Sequence, residues 1–103
     1  AAVGLPDACG AVGVDVELRD ADSERAADLA RLLEVAPEYA IRRWTQLEAV
    51  LKADGRGLRV DPGQVRLEQD SAWIGDESTR YRLAEVAGPA DAVISVAWTP
   101  VAG

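Results

Sequence analysis

The chain has 103 residues, 49% of them hydrophobic, a formal net charge of −7 and no histidine. A chain of this size can bury the core of one domain without disulfides or a structural metal. The acidic balance disfavours nucleic acid as a partner and favours a basic protein, because binding to phosphates rests on Lys and Arg. No apolar run approaches the roughly 20 residues that span a bilayer, so no membrane segment is predicted.

The start of the chain is rich in small residues, glycine and proline. It predicts a flexible arm over residues 1–10, followed by a single domain over residues 11–103. The one cysteine, Cys9, cannot form an internal disulfide, which favours a reducing, cytoplasmic setting. From Val12 to Arg19 apolar and polar residues alternate, as in a strand with one buried, apolar face and one wet face.

Two helices are predicted next, over about residues 22–35 and 37–54. Pro37 separates them, because proline fits the first turn of a new helix. The second helix carries an apolar stripe that includes Trp44, and Gly55 is a typical C-terminal cap. The first helix carries an apolar stripe at helical spacing, formed by Ala26, Leu29, Ala30 and Leu33.

Short alternating segments between about residues 58 and 99 predict a mostly antiparallel sheet of four to five strands. Residues 58–60 and 65–67 flank an Asp-Pro-Gly-Gln turn and predict one hairpin, and a second hairpin is predicted around residues 75–79. The last strand is apolar on both faces, which places it in the interior of the sheet. The chain is therefore predicted to be an α+β domain with both helices packed on one face of the sheet.

Catalytic equipment is sparse in this sequence. Without histidine, Ser-His and Cys-His triads and the usual zinc sites cannot be assembled. Carboxylates near the end of the first strand can bind a hard cation, but Asp20 and Asp22 also suit the cap of the first helix. We therefore predict no catalytic residue, no metal and no cofactor.

Two groups of residues are predicted to bind a protein partner. One is a set of acidic residues near the end of the first strand, and the other lies beside the turn at residues 75–79. Trp73 and Tyr81 flank a polar turn, and such side chains are favoured at interfaces because they combine apolar area with a polar atom. The alternative is a cross-strand aromatic pair that stabilises the hairpin. The complete predicted set is Asp15, Glu17, Asp20, Asp22, Trp73, Asp76, Glu77 and Tyr81.

These patterns favour a non-enzymatic protein-interaction domain. It would act as a structural subunit of an assembly or as an acidic inhibitor of a basic partner, and copies of the chain are also candidate partners. The alternative hypothesis is a small enzyme or ligand-binding domain with a pocket between sheet and helices. That pocket would be lined by carboxylates, by Tyr39 or Tyr81, and by Arg80 or Arg82.

Overall fold

The structure is a computed structural model that describes residues 9–18, 23–86, 88–89 and 92–100. Residues 1–8 of the predicted arm lie outside these ranges, whereas residues 9 and 10 begin the first strand. Within the described part of the chain there are five strands and two α-helices. In chain order these are β1 (Cys9–Leu18), α1 (Ser23–Leu33), α2 (Pro37–Asp54), β2 (Val65–Leu67), β3 (Ser71–Ile74), β4 (Tyr81–Val86) and β5 (Ala92–Pro100).

The strands form one antiparallel sheet in the order β1-β5-β4-β3-β2. Helix α2 packs on β1 and β5, and α1 packs on α2, so both helices lie on one face of the sheet. The predicted α+β class is confirmed, and the last strand lies in the interior between β1 and β4. None of the helices in the described ranges has the length and hydrophobicity needed to cross a membrane.

The boundaries of the helices follow from residues visible in the sequence. Helix α2 begins at Pro37 and ends at Gly55, which adopts a φ of 87° and donates its backbone N–H to the Leu51 carbonyl at 3.0 Å. Helix α1 ends at Leu33, two residues before the predicted end, because the next residue, Glu34, adopts a φ of 57°. A left-handed residue at this position ends a helix.

The predicted hairpin over residues 58–67 is wrong. Residues 57–59 and 62–64 form two short 3₁₀ turns, and the side chain of Asp61 accepts a hydrogen bond of 2.9 Å from the Gly63 backbone N–H. This local bond stabilises a tight turn in place of a strand ladder. The hairpin therefore forms one step later in the chain, between β2 and β3.

The alternation in β1 is present, but its two faces are reversed relative to the prediction. Val12, Val14 and Val16 are 39%, 36% and 54% exposed, whereas Gly13 and Asp15 are buried on the face that α2 covers. A Cβ atom on Gly13 would overlap the backbone of α2 at Ala49 and Ala53. The absence of a side chain at Gly13 therefore lets the helix lie directly against the strand.

This close approach predicts that Gly13→Ala destabilises the protein. The added methyl group forces β1 and α2 apart, and overpacking of this kind typically costs about 1–3 kcal/mol. Chemical denaturation of both proteins measures the difference. Gly63→Ala is the matched control, because its Cβ would meet nothing closer than an Asp61 side-chain oxygen at 3.3 Å. Equal stability of the Gly13→Ala variant and the original chain would contradict the close approach.

Candidate active site

Charged side chains gather where β1 faces α2. Asp15 and Glu17 are two residues apart on β1, so they point to the same face of the sheet. Glu48 and Lys52 are four residues apart on α2 and share one side of the helix. With Arg25 of α1, these side chains form a group that we call the charged cluster.

Two of the three carboxylates in the charged cluster are paired with a cation. Lys52 donates from Nζ to Asp15 Oδ1 at 2.7 Å, and Arg25 donates from Nη2 to Glu17 Oε1 at 2.8 Å. Asp15 is only 9% exposed, so its charge needs a close partner. The hydrogen bond to Asp15 raises the pKa of Lys52 above its ordinary value, which keeps the ammonium charged.

The second oxygen of Asp15 has no such partner. Oδ2 is buried and makes no hydrogen bond, and the same is true of the Ser95 hydroxyl, which lies directly opposite Asp15 in the pairing of β1 with β5. Buried polar atoms in folded proteins nearly always have a hydrogen-bond partner. Asp15 Oδ2 and Ser95 Oγ are therefore two unsatisfied polar atoms on one cross-strand pair, and a bound water or ion would supply the missing partner.

Glu48 is the third carboxylate. Burial raises the pKa of the Glu48 carboxyl, the negative charge of Asp15 raises it further, and Lys52 acts in the opposite direction. The ionised form is therefore disfavoured by its surroundings. An additional positive charge at this point would relieve the repulsion between the carboxylates, so the cluster is electrostatically suited to a cation.

The carboxylate oxygens of the charged cluster are of the donor type that hard cations such as Mg²⁺ prefer. In the described ranges no group of three or more His, Cys, Asp or Glu side chains is arranged to hold a metal. Mg²⁺ does not require such a cage, because it commonly binds one or two carboxylates, several waters and the phosphates of a substrate. Asp15, with its free buried oxygen, and Glu48 are two carboxylates of that kind.

The predicted partner-binding residues do not come together in the structure. Asp15 and Glu17 belong to the charged cluster, whereas Asp20 and Asp22 lie outside the described residues. The remaining four lie on or beside β3 and β4, and β4 and β5 separate β3 from β1. These four are Trp73, Asp76, Glu77 and Tyr81.

Tyr81 and Glu77 belong to a network that ties the end of α2 to the turn between β3 and β4. Tyr81 is 4% exposed and donates its hydroxyl to Asp54 Oδ1 at 3.2 Å. Burial raises the pKa of Tyr81 to about 12, so it stays protonated. Arg56 donates to Asp54 at 2.7 Å and to Glu77 at 2.9 Å, and its hydrogen bond lowers the pKa of Asp54.

Trp73 points to the other face of the sheet. The pairing of β3 with β4 places Ala72 opposite Tyr81, so Trp73 and Tyr81 are not a cross-strand pair. The Arg80 guanidinium lies 4.9 Å from the centre of the Trp73 ring, a distance typical of a cation–π contact. Asp76, in the turn itself, is exposed.

The residues of the alternative hypothesis are divided between separate cavities. A cavity of about 430 Å³ does lie between the two helices and β2, and Glu34, Asp61 and Arg43 are among its lining residues. A cavity of about 280 Å³ is lined by Arg80, Tyr81 and Arg82, together with residues 70, 71 and 100. These residues come from β3, β4, β5 and adjoining loops, so this cavity is not between the sheet and the helices. Tyr39 is 55% exposed on α2 and lines another cavity, of about 400 Å³, together with Arg42 and Glu68.

The sequence reasoning missed Arg25, Glu48, Lys52 and Ser95 as site residues. Glu48 and Lys52 are four residues apart on one helix, a spacing that by itself predicts only a pair on the helix surface, but Lys52 bonds to Asp15 across 37 positions of the chain. One signal was available: the eleven basic residues comprise ten arginines and a single lysine, Lys52.

Comparison with known proteins identifies a family for this arrangement. A family model described as ACPS, the 4'-phosphopantetheinyl transferase superfamily, matches residues 11–97. The match begins in β1, ends in β5 and contains the whole charged cluster. No curated protein and no solved structure matches the chain. The family match overturns the predicted non-enzymatic interaction domain, in both its structural-subunit and its inhibitor forms.

The strain on Glu48 predicts that Glu48→Gln stabilises the ligand-free protein at neutral pH. The pKa of Glu48 is raised in the folded state, so the protonated form of Glu48 favours folding. That contribution to stability is lost as the pH rises above 4.5, the ordinary pKa of a glutamate. The glutamine variant keeps a neutral side chain at every pH. We expect a gain of less than about 1 kcal/mol, because solvent screens this partly buried group.

Urea denaturation at pH 4 and pH 7 measures this effect. The gain should be present at pH 7 and shrink towards zero at pH 4, where the native glutamate is protonated. Glu68→Gln is the control, since this exposed residue lies outside the charged cluster. A variant that is less stable than the original chain at pH 7 would show that Glu48 is not repelled by its neighbours.

Proposed function

Because the chain belongs to the 4'-phosphopantetheinyl transferase superfamily, we propose that it transfers a 4'-phosphopantetheinyl group to a hydroxyl group of a carrier protein. The charged cluster is the proposed active site. The observation that carries this proposal is the buried, unpartnered oxygen of Asp15 inside the matched region, beside Glu48 and Lys52.

The proposed reaction is a phosphoryl-type substitution. The donor must join 4'-phosphopantetheine to a leaving group through a phosphoanhydride, and coenzyme A is a molecule of this kind. The hydroxyl oxygen of the acceptor forms a new bond to the phosphorus that carries the pantetheine arm. The bond to the bridging oxygen breaks, its electron pair leaves with adenosine 3',5'-bisphosphate, and the hydroxyl proton passes to water. Such reactions depend mainly on positioning and on charge stabilisation.

The residues of the charged cluster supply those two requirements. Lys52 acts as a point charge on the diphosphate, a common role for lysine. Asp15 and Glu48 would hold a divalent cation, which when bound supplies charge neutralisation to the phosphates. Arg25 neutralises Glu17 at 2.8 Å and so reduces the repulsion between the site and an anionic donor.

Copies of this chain are proposed as a second kind of partner. The sheet face opposite the helices exposes Val12, Val14 and Val16 of β1, and Val86 of β4 is 41% exposed in the same row as Val16. Exposed apolar side chains that are contiguous on one face are typical of protein-protein interfaces. We call this surface the valine face. The basic partner and the cytoplasmic setting remain predictions from the sequence.

The transferase proposal predicts the loss of activity in two variants. Asp15→Asn and Lys52→Met should each lower the rate of transfer from coenzyme A to an apo carrier protein by about 10²–10³-fold. The first variant removes a ligand of the proposed cation, and the second removes a positive charge that acts on the phosphates. Mass spectrometry of the carrier protein in the presence of Mg²⁺ measures the transfer. Arg42→Gln is the control, since Arg42 pairs with Glu85 outside the charged cluster.

Two results would contradict this proposal. The folded chain could fail to modify any of a panel of carrier proteins, or the Asp15 and Lys52 variants could retain the activity of the Arg42 control. The first result would refute the proposed transferase activity. The second would move the active site away from the charged cluster.

The valine face predicts that the chain associates with copies of itself. We expect light scattering to give a molar mass above the 10.9 kDa of one chain. Val16→Lys should return it to the monomer, because a charge cannot be buried in an apolar interface without a partner. Leu32→Lys is the control, since Leu32 is 63% exposed on α1, away from the valine face. If the original chain is a monomer, self-association through the valine face is excluded.

A further inference from the structure

Lys52 occupies a particular position in the charged cluster. It is the only lysine in a chain with ten arginines, and its Nζ atom lies 2.7 Å from Asp15 Oδ1. The two partners differ in burial, because the Lys52 side chain is 51% exposed and the Asp15 side chain is 12% exposed. The carboxylate is therefore fixed in the site, while the ammonium reaches it from the solvent side.

The charge balance of the cluster explains why Lys52 is bound there. Three carboxylates and two cations leave one net negative charge. Asp15 is buried, so removal of its counter-charge without replacement is costly. A divalent cation on Asp15 would replace that counter-charge and reverse the net charge of the cluster to one positive. It would also repel the Lys52 ammonium.

The chemistry of lysine suits such an exchange. Its ammonium is a compact charge on a flexible four-carbon stem, whereas an arginine guanidinium binds carboxylates through a rigid, often bidentate fork. The half-exposed stem of Lys52 can move without disturbing the core. Once released, the ammonium lies beside a cluster that has become attractive to anions.

We infer that Lys52 and a divalent cation compete for Asp15, and that cation binding releases Lys52 to the phosphate of the donor. Cation binding therefore precedes donor binding. The last step rests on the proposed function, because it requires a phosphate-containing donor. The competition itself rests on the ion pair at Asp15 Oδ1 and on the repulsion that a cation at the free Oδ2 would exert on the Lys52 ammonium.

The single lysine makes a direct test possible. Lysine labelled with ¹⁵N and ¹³C gives one set of side-chain signals, which needs no assignment, and these are followed by NMR while Mg²⁺ is added without any donor. We expect the Lys52 signals to shift with a saturable dependence on Mg²⁺ and the stem to become more mobile. Subsequent addition of coenzyme A should shift them again.

The competition is measured independently with Mn²⁺ as the probe. Lys52→Met should bind Mn²⁺ about two- to fivefold more tightly than the original chain, which is the range expected for loss of one partly exposed ion pair. Arg42→Gln should leave the affinity unchanged, and Asp15→Asn should weaken it. Thermal unfolding of each variant confirms that it is folded.

Three results would overturn the inference. The Lys52 signals could remain unchanged while Mn²⁺ binding to the same sample is demonstrated, Lys52→Met could bind Mn²⁺ no more tightly than the original chain, or neither protein could bind it. The transfer assay separates this failure from that of the proposed function. Transfer with an unmoved Lys52 refutes the exchange alone, whereas cation-dependent release without transfer refutes the reaction alone.

Discussion

The contact between the backbone of β1 and that of α2 is the constraint on which the site depends. Because Gly13 has no side chain, the helix lies on the strand at Ala49 and Ala53. Asp15, two residues along on the same face, is consequently covered by α2 and meets Lys52 at 2.7 Å. A larger residue at Gly13 would separate the elements that carry the carboxylates, so packing and electrostatics are coupled at this point.

The charged cluster lowers the folding stability of the ligand-free protein. Its carboxylates repel one another, Glu48 is disfavoured in its ionised form, and Asp15 and Ser95 leave buried polar atoms without partners. Arrangements of this kind are uncommon in parts of a protein that serve folding alone, and perturbed ionisable groups concentrate at functional sites. The network of Asp54, Arg56 and Tyr81 is the contrasting case, because its charges and hydroxyl are mutually satisfied and hold two elements together.

Much of the fold could be predicted from local sequence signals. Pro37 and Gly55 bound the second helix, and period-two alternation marks β1, because backbone geometry dictates both. The alternation does not say which face is covered, and the valines of β1 suggested the wrong one. The charged cluster was harder to predict, since Lys52 meets Asp15 only after the chain has folded. Ser95 appears in the sequence merely as a small residue in an apolar strand, and only the register with β1 reveals its position.

The presence of a single lysine has a chemical consequence. Lys52 is the only side-chain primary amine among these 103 residues, so a reagent that acylates amines has one side chain to modify. Acetylation of Lys52 would remove the positive charge that pairs with the buried Asp15 carboxylate. It would also remove a positive charge that could interact with an anionic substrate. Because the other ten basic residues are arginines, the side-chain reaction with such reagents takes place at a single atom, Lys52 Nζ.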